Sequence, residues 1–280
     1  MRKNPNCKII VISSKGGVGK STVAMQLIAP YLYERSGKNP VSFYEFDDEN
    51  SDSLSYGASN LTKRDVVEVD SGILKEELVQ IFSKDENACL DIGGNKTTTM
   101  VLKALDESGM VHFVDLAVIP LLDGEQDAIN ATIVYTTLKD IRPDLKFIFV
   151  LNRAKNSRYI KYQFDNFFGD VRGILSDTQA IKNYLFPGDS ENYIALLDDD
   201  IIKFSRRFGL TIYEIAQMKK DFIELLKLNK KKFSSQEELK VVSFKNYVQK
   251  ASKSYFEDVL EPSFVKLNQI MESKNDNEES

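Results

Sequence analysis

Histidine is nearly absent from this 280-residue chain, which has His112 and no other. One imidazole cannot build a histidine metal cluster, and a Ser–His pair would need distant help. His112 is expected at the start of a strand. Cysteine is almost as scarce. Cys7 and Cys89 each lie in an apolar run that reads as a strand, without metal-ligand spacing or a disulfide framework, so both are expected as reduced core residues. No apolar run approaches the ~18 residues of a membrane-spanning helix. Met1-Arg2-Lys3 leads into no apolar signal-peptide segment, so a cytoplasmic protein is expected. Charge of one sign is lacking too: 37 basic against 42 acidic residues leave −5, which carries no global nucleic-acid signature. Internal repeats are absent.

What the chain does have is alternation. Short continuous apolar runs at 8–13, 41–46, 87–92, 113–119 and 146–151 suit parallel strands buried on both faces. Helical patterns at 20–35, 73–84, 97–109 and 125–140 separate them. The expected fold is α/β, a doubly wound mainly parallel sheet flanked by helices, with a helical C-terminal extension. Residues 51–72 read as an irregular surface excursion. Past 152 the pattern is mostly helical, near 157–168, 177–186, 198–208, 211–228 and 236–257. Ser234-Ser235 precedes acids in the manner of a helix start. Pro262 is expected to break the helix after it, and residues 274–280 to fray. The expected division is a nucleotide-binding domain over 1–233 and an extension over 234–280.

One stretch carries chemistry. Residues 14–22 read Ser14-Lys15-Gly16-Gly17-Val18-Gly19-Lys20-Ser21-Thr22, directly behind the apolar run ending at Ile12. Glycines that accept φ > 0 let the backbone curl around an anion with its N–H groups inward. The helix starting near Lys20 adds its positive end. In such a P-loop, Gly16 to Thr22 form the nucleotide cradle, Lys20 reaches the β- and γ-phosphates, and the Ser21 hydroxyl ligates Mg²⁺. The bland alternative is a glycine-rich turn that binds nothing, but the coincidence of strand, glycines, lysine and serine argues against it. Asp91, at the end of the apolar run 87–91, is the candidate second metal ligand, a Walker B acid; alone, it would equally be a strand-end acid starting a turn.

The pattern Lys15-Gly-Gly-x-Gly-Lys20-Ser21 resembles the deviant Walker A motif of the ParA/MinD ATPases. The resemblance covers about residues 7–225 and is strongest at this loop. It implies a Mg²⁺-dependent ATPase, slow in hydrolysis, that forms a homodimer on ATP binding, with Lys15 crossing the interface to the partner's nucleotide. It also implies a stimulating partner protein. Glu45-Phe46-Asp47-Asp48-Glu49 stands where the family often shows Asp-x-Asp-Pro-Gln, which makes Asp47 the candidate for positioning water, with Asp48 its rival and a solvated acidic loop the plain alternative. Asn152 ends the strand that lies near adenine in the family, or else simply starts a turn. ParA-like members bind DNA. Lys219-Lys220, Lys227 and Lys230-Lys231-Lys232 could contact phosphates, joined by Arg206-Arg207 and Lys240 to Lys253, or could be the wet side of an amphipathic helix. The acidic end, Asn275 to Ser280, disfavours a MinD-like lipid anchor. ParA-like partition of DNA or another cargo is thus the leading expectation. A recruitment module that binds ATP and hydrolyses little, serving conjugative transfer or another complex, is the alternative. A small-molecule kinase is a third, disfavoured by Lys15.

Overall fold

The chain builds one seven-stranded sheet, and every pairing in it is parallel. A computed structural model describes residues 7–46, 52–70, 72–169, 181–186, 188–219 and 236–273. The strands are β1 (Lys8–Ile12), β2 (Val41–Phe46), β3 (Thr62–Val66), β4 (Ala88–Ile92), β5 (Leu116–Leu121), β6 (Phe147–Ala154) and β7 (Tyr193–Leu197). They lie in the order β3-β2-β4-β1-β5-β6-β7. Strands added early run outward on one side of β1 and later ones on the other, so the order turns back at the centre. In such sheets, ligands bind beyond the carboxyl ends of the strands at that turning point.

Both faces are covered, which explains the unbroken apolar runs. On one face Ile10, Ile12, Leu90, Ile92 and Ile119 share a core with side chains of α3 (Leu74–Ser83), α4 (Asn95–Ser108) and α5 (Glu125–Ile141). On the other, Ile9, Val11, Cys89, Val118 and Val150 meet the helix that follows the cradle and the long C-terminal helix.

β3 and β7 correct the sequence reading, which took 51–72 as irregular and the region past 152 as mostly helical. Both are edge strands. β3, Thr-Lys-Arg-Asp-Val, has no buried residue and shows no apolar run, whereas β7, Tyr-Ile-Ala-Leu-Leu, is apolar throughout although only alternate residues are buried, and the sequence reading passed over it. His112 sits in a 3₁₀ turn, Met110–Phe113, rather than starting a strand. Of the expected helix at 177–186, the described part is a 3₁₀ turn, Ile181–Tyr184.

Pro262 does not end its helix. α10 (Gln236–Tyr255) runs through a π turn, Phe256–Leu260, into α11 (Glu261–Glu272), with the proline in the first turn of α11. The π turn loosens the hydrogen-bond ladder where proline supplies no N–H. Burial of Val259, Leu260, Leu267 and Ile270, at ~1.5–3 kcal/mol per side chain, outweighs the ~3 kcal/mol cost of an interior proline. The cradle helix is built alike. α1 (Lys20–Val23) passes through a π turn, Ala24–Ile28, into α2 (Ala29–Arg35), with Pro30 in its first turn. The two helices touch: the Tyr31 and Phe264 rings lie 5.8 Å apart, and the Tyr31 hydroxyl donates to Asn268 at 3.0 Å.

Cys7 and Cys89 are free and buried. Burial, with Asp115 beside Cys7 and Asp91 beside Cys89, pushes both thiols far above their ordinary range. Because the thiolate is the reactive form, native protein at pH 8 should resist iodoacetamide, whereas urea-unfolded protein should take up two equivalents by mass spectrometry. Rapid labelling of the native state would contradict the buried placement.

Candidate functional site: a phosphate cradle with a tethered lysine

β1 ends at Ile12 and the backbone turns through Ser13 to Gly19 before α1 begins. Gly17 and Gly19 take φ of +79° and +86°, the left-handed region that glycine enters without a Cβ penalty. A side chain at Gly16 or Gly17 would project into open space, so the inner wall of the turn is bare backbone. Lys20 is buried and donates to the Lys15 carbonyl at 3.1 Å, drawing its ammonium back over the loop. Ser21 is the second residue of α1, and Thr22 accepts a hydrogen bond from the Arg206 guanidinium.

Asp91 is buried near the carboxyl end of β4. It pairs in register with Val11 and alternates with Leu90 and Ile92, so it faces the same side of the sheet as Val11, Cys89 and α1. Glu45 on β2 is its register neighbour, and the Ser53 hydroxyl donates to Glu45 at 2.5 Å. A serine hydroxyl at the start of α1 and a buried carboxylate on that face are hard oxygen donors that fit Mg²⁺, which takes few protein ligands and completes its shell with water and phosphate. Among the described residues no three His, Cys, Asp or Glu side chains gather as a metal cage.

Lys15 has a partner that the sequence did not signal. Its ammonium sits 2.9 Å from Asp127 Oδ2. Asp127 lies in the first turn of α5 and is only 5% exposed, while Lys15 is 36% exposed. Its Oδ1 is buried and has no hydrogen-bond partner among the described residues. Gly124 makes room, since a Cβ there would lie 2.7 Å from Asp127 Oδ2. An acid in a first helical turn ordinarily reads as a dipole-favoured residue, and nothing local announces the contact with Lys15. Ser14 adds a second tie to α5 by donating to Asn130 at 3.3 Å.

Asn152 sits against the cradle. Its amide donates to the Val18 carbonyl at 2.8 Å, and its oxygen accepts from Arg153 N–H. In this arrangement the amide braces the loop. Behind α1, Gln26 in the π turn donates to Tyr56 at 3.0 Å and Ser205 at 2.9 Å and accepts from Ile212 N–H. Arg206, on α8 (Asp200–Arg207), donates to Tyr56 and Thr22. It therefore turns inward rather than joining an exposed basic stripe, whereas Arg207 stays exposed. Asp47, Asp48 and Lys220 to Lys232 lie outside the described residues. Lys219 is described and exposed.

A glycine cradle at the carboxyl edge of a doubly wound parallel sheet, with a lysine and serine opening the next helix, is the arrangement of a P-loop NTPase fold. Among solved structures, apo McdA from Cyanothece has a TM-score of 0.50 at 11% identity, covering 75% of this chain and 93% of that one. A plasmid partition protein from Borrelia burgdorferi bound to AMPPNP scores 0.48 at 14% identity, covering 79% and 96%. MinD from Aquifex aeolicus scores 0.48 at 15% identity, covering 76% and 90%. With McdA, at 11% identity, it is the fold that is shared. No protein-family model matches the chain, and no curated protein sequence does.

Proposed function

We propose that this chain is a slow Mg²⁺-dependent ATPase whose ATP-bound homodimer positions or segregates a cargo, with DNA as the first candidate. The observation that carries the reading is the cradle itself, with Gly17 and Gly19 at positive φ, Lys20 folded over the loop and Asp91 buried on the α1 face. Gly16 to Thr22 would present backbone N–H groups to the β- and γ-phosphates, and Lys20 would swing from the Lys15 carbonyl onto them. Ser21 and Asp91 would hold Mg²⁺, which supplies charge neutralisation when bound. Asp47 would orient the attacking water, and Asn152 would lie beside adenine while bracing Val18. Lys15 would leave Asp127 to reach the partner's phosphates. Since phosphoryl transfer to water needs chiefly positioning and charge stabilisation, these residues suffice for the step.

DNA contact through Lys219 to Lys232, a stimulating partner protein, cytoplasmic location and the division at 233/234 belong to the same proposal. No helix among the described residues is long and apolar enough to cross a membrane. One sequence feature favours the second reading, a recruitment module that hydrolyses little: Asp48-Glu49 replaces the Pro-Gln of the family pattern. Light-scattering mass with and without Mg²⁺ and ATP, paired with multiple-turnover phosphate release, tests both. A doubled mass with sustained release supports the ATPase. A doubled mass without release selects the recruitment module, and an ATP-independent monomer refutes both.

A further inference from the structure

The carboxyl edge of β6 carries a second concentration of charge, beside the cradle. Between 153 and 162 the chain places Arg153, Lys155, Arg158 and Lys161 with no acid among them, although the whole chain is net negative. All four are exposed. None is ion-paired among the described residues, whereas seven other lysines and arginines there are. Interleaved with them are two large aromatics turned to solvent, Tyr159 at 62% and Tyr162 at 53% exposure. Their ring centroids stand 6.3 Å apart.

A run of cations is ordinarily a solvated face, but three features here go beyond that. The backbone is built rather than loose. A register shift between Leu151 and Ala154 bulges the strand, and Arg153 adopts φ +56°, a conformation that costs a non-glycine residue energy and must be held by its surroundings. The holding is visible. Gln163 donates to the Arg153 carbonyl at 3.1 Å and to Asp123 at 3.0 Å, while accepting from Lys155 N–H at 2.8 Å. The exposed tyrosines contribute nothing to the core, yet a solvated charged turn has no use for them. Finally, alternating cations and π faces on a fixed track suit one class of polyanion.

We propose that Arg153, Lys155, Arg158, Tyr159, Lys161 and Tyr162 form a binding track for single-stranded nucleic acid. The cations meet the phosphates, and the two tyrosines stack on successive bases. Duplex DNA, whose bases are already stacked inside, would use only the cations, so the tyrosines favour the single strand. These residues are other than the Lys219 to Lys232 run invoked for duplex contact, and the inference does not require ATP hydrolysis.

Fluorescence anisotropy of the full chain with a labelled 20-nucleotide oligothymidine and a 20-base-pair duplex, each titrated with KCl, tests it. Arg158→Gln/Lys161→Gln should weaken oligothymidine binding at least about tenfold and flatten the log–log salt slope by about 1.4, from ~0.7 per lost phosphate contact. Tyr159→Ala/Tyr162→Ala should weaken the single strand about tenfold or more, as expected for lost base stacking, with the salt slope and duplex affinity unchanged. Both variants should keep the wild-type thermal midpoint and bind a fluorescent ATP analogue as wild type does. Unchanged oligothymidine affinity in either variant would overturn the proposal, as would equal losses for duplex and single strand in the tyrosine variant. Loss of the ATP analogue would instead assign the track to the nucleotide site and overturn it equally.

Discussion

Gly19→Ala is expected to cost this protein about 2–4 kcal/mol and to weaken nucleotide binding about a hundredfold. Two effects add. Gly19 holds φ +86°, ψ +34° as the residue before α1, and a Cβ in that left-handed region costs ~1 kcal/mol or more. The Cβ would also stand 2.2 Å from Asn152 Nδ2. Asn152 is buried and bonded to the Val18 carbonyl at 2.8 Å, so its displacement forfeits a buried hydrogen bond worth ~1–3 kcal/mol. For a chain of this size the sum lowers the thermal midpoint by roughly 5–10 °C. Graded controls sharpen the test. Gly17→Ala meets open space at φ +79° and should lose only the backbone term. Gly16→Ala meets open space without a positive φ and should be nearly neutral to stability. Adding Asn152→Ala to Gly19→Ala should cost less than the two single losses combined, because the clash is removed. Strict additivity in calorimetry would mean that Asn152 and Gly19 do not press on one another.

Lys15→Ala should abolish the ATP-dependent doubling of mass while leaving nucleotide binding by the monomer within a few fold of wild type. Its counterpart is Asp127→Asn, which keeps the shape of the side chain and removes the charge that tethers Lys15 at 2.9 Å. With Lys15 more than a third exposed, the pair is worth at most ~1 kcal/mol after screening, or about fivefold in an equilibrium. Asp127→Asn should therefore lower the ATP concentration needed for half-maximal dimerisation about fivefold. The double variant should behave as Lys15→Ala, because a released lysine matters only if it is present. A Lys15→Ala protein that still dimerises with ATP would remove the cross-interface role. An Asp127→Asn protein that dimerises less readily would make Asp127 a support for Lys15, not a restraint on it.

The parts of the molecule that sequence reveals are those whose signal is contiguous. β1, β2, β4, β5 and β6 are buried on both faces and read as apolar runs, and the cradle announces itself because all its residues fall within nine positions. β3 escapes because an edge strand needs little apolar character, and Thr62–Val66 has none to show until its last residue; β7, Tyr-Ile-Ala-Leu-Leu, carries an apolar run as plain as the others, but it is short and stands between helical patterns. Asp127 escapes for another reason. Its partner is 112 positions away, and only the fold of α5 against the loop, with Gly124 cleared beneath it, brings the two together. Asn152 marks a strand end in the sequence, but that its amide faces Val18 is a tertiary fact. Arg206, equally, looks like a surface cation until Thr22 and Tyr56 are seen to claim it. Pro262 misleads because the local penalty is real, and only the burial around it shows that it is outweighed.

The paired π turns set where the chain can change length without disturbing the site. Each accommodates one residue more than a regular helix would, and a residue in an α-helix is worth about 100° of rotation. Removing any one residue from 24–28 would let α1 and α2 fuse into an unbroken spiral, at little cost to helicity. Because the wide turn absorbs that residue, Lys20 and Ser21 would keep nearly the same bearing relative to Tyr31 and Leu32, which stay anchored in the core, whereas a deletion from the regular turns on either side would rotate the two ends by about 100° against one another. A single-codon deletion within 24–28 that leaves Gln26 in place is thus predicted to spare both the fold and the aim of the cradle, and one just outside it to misaim the cradle.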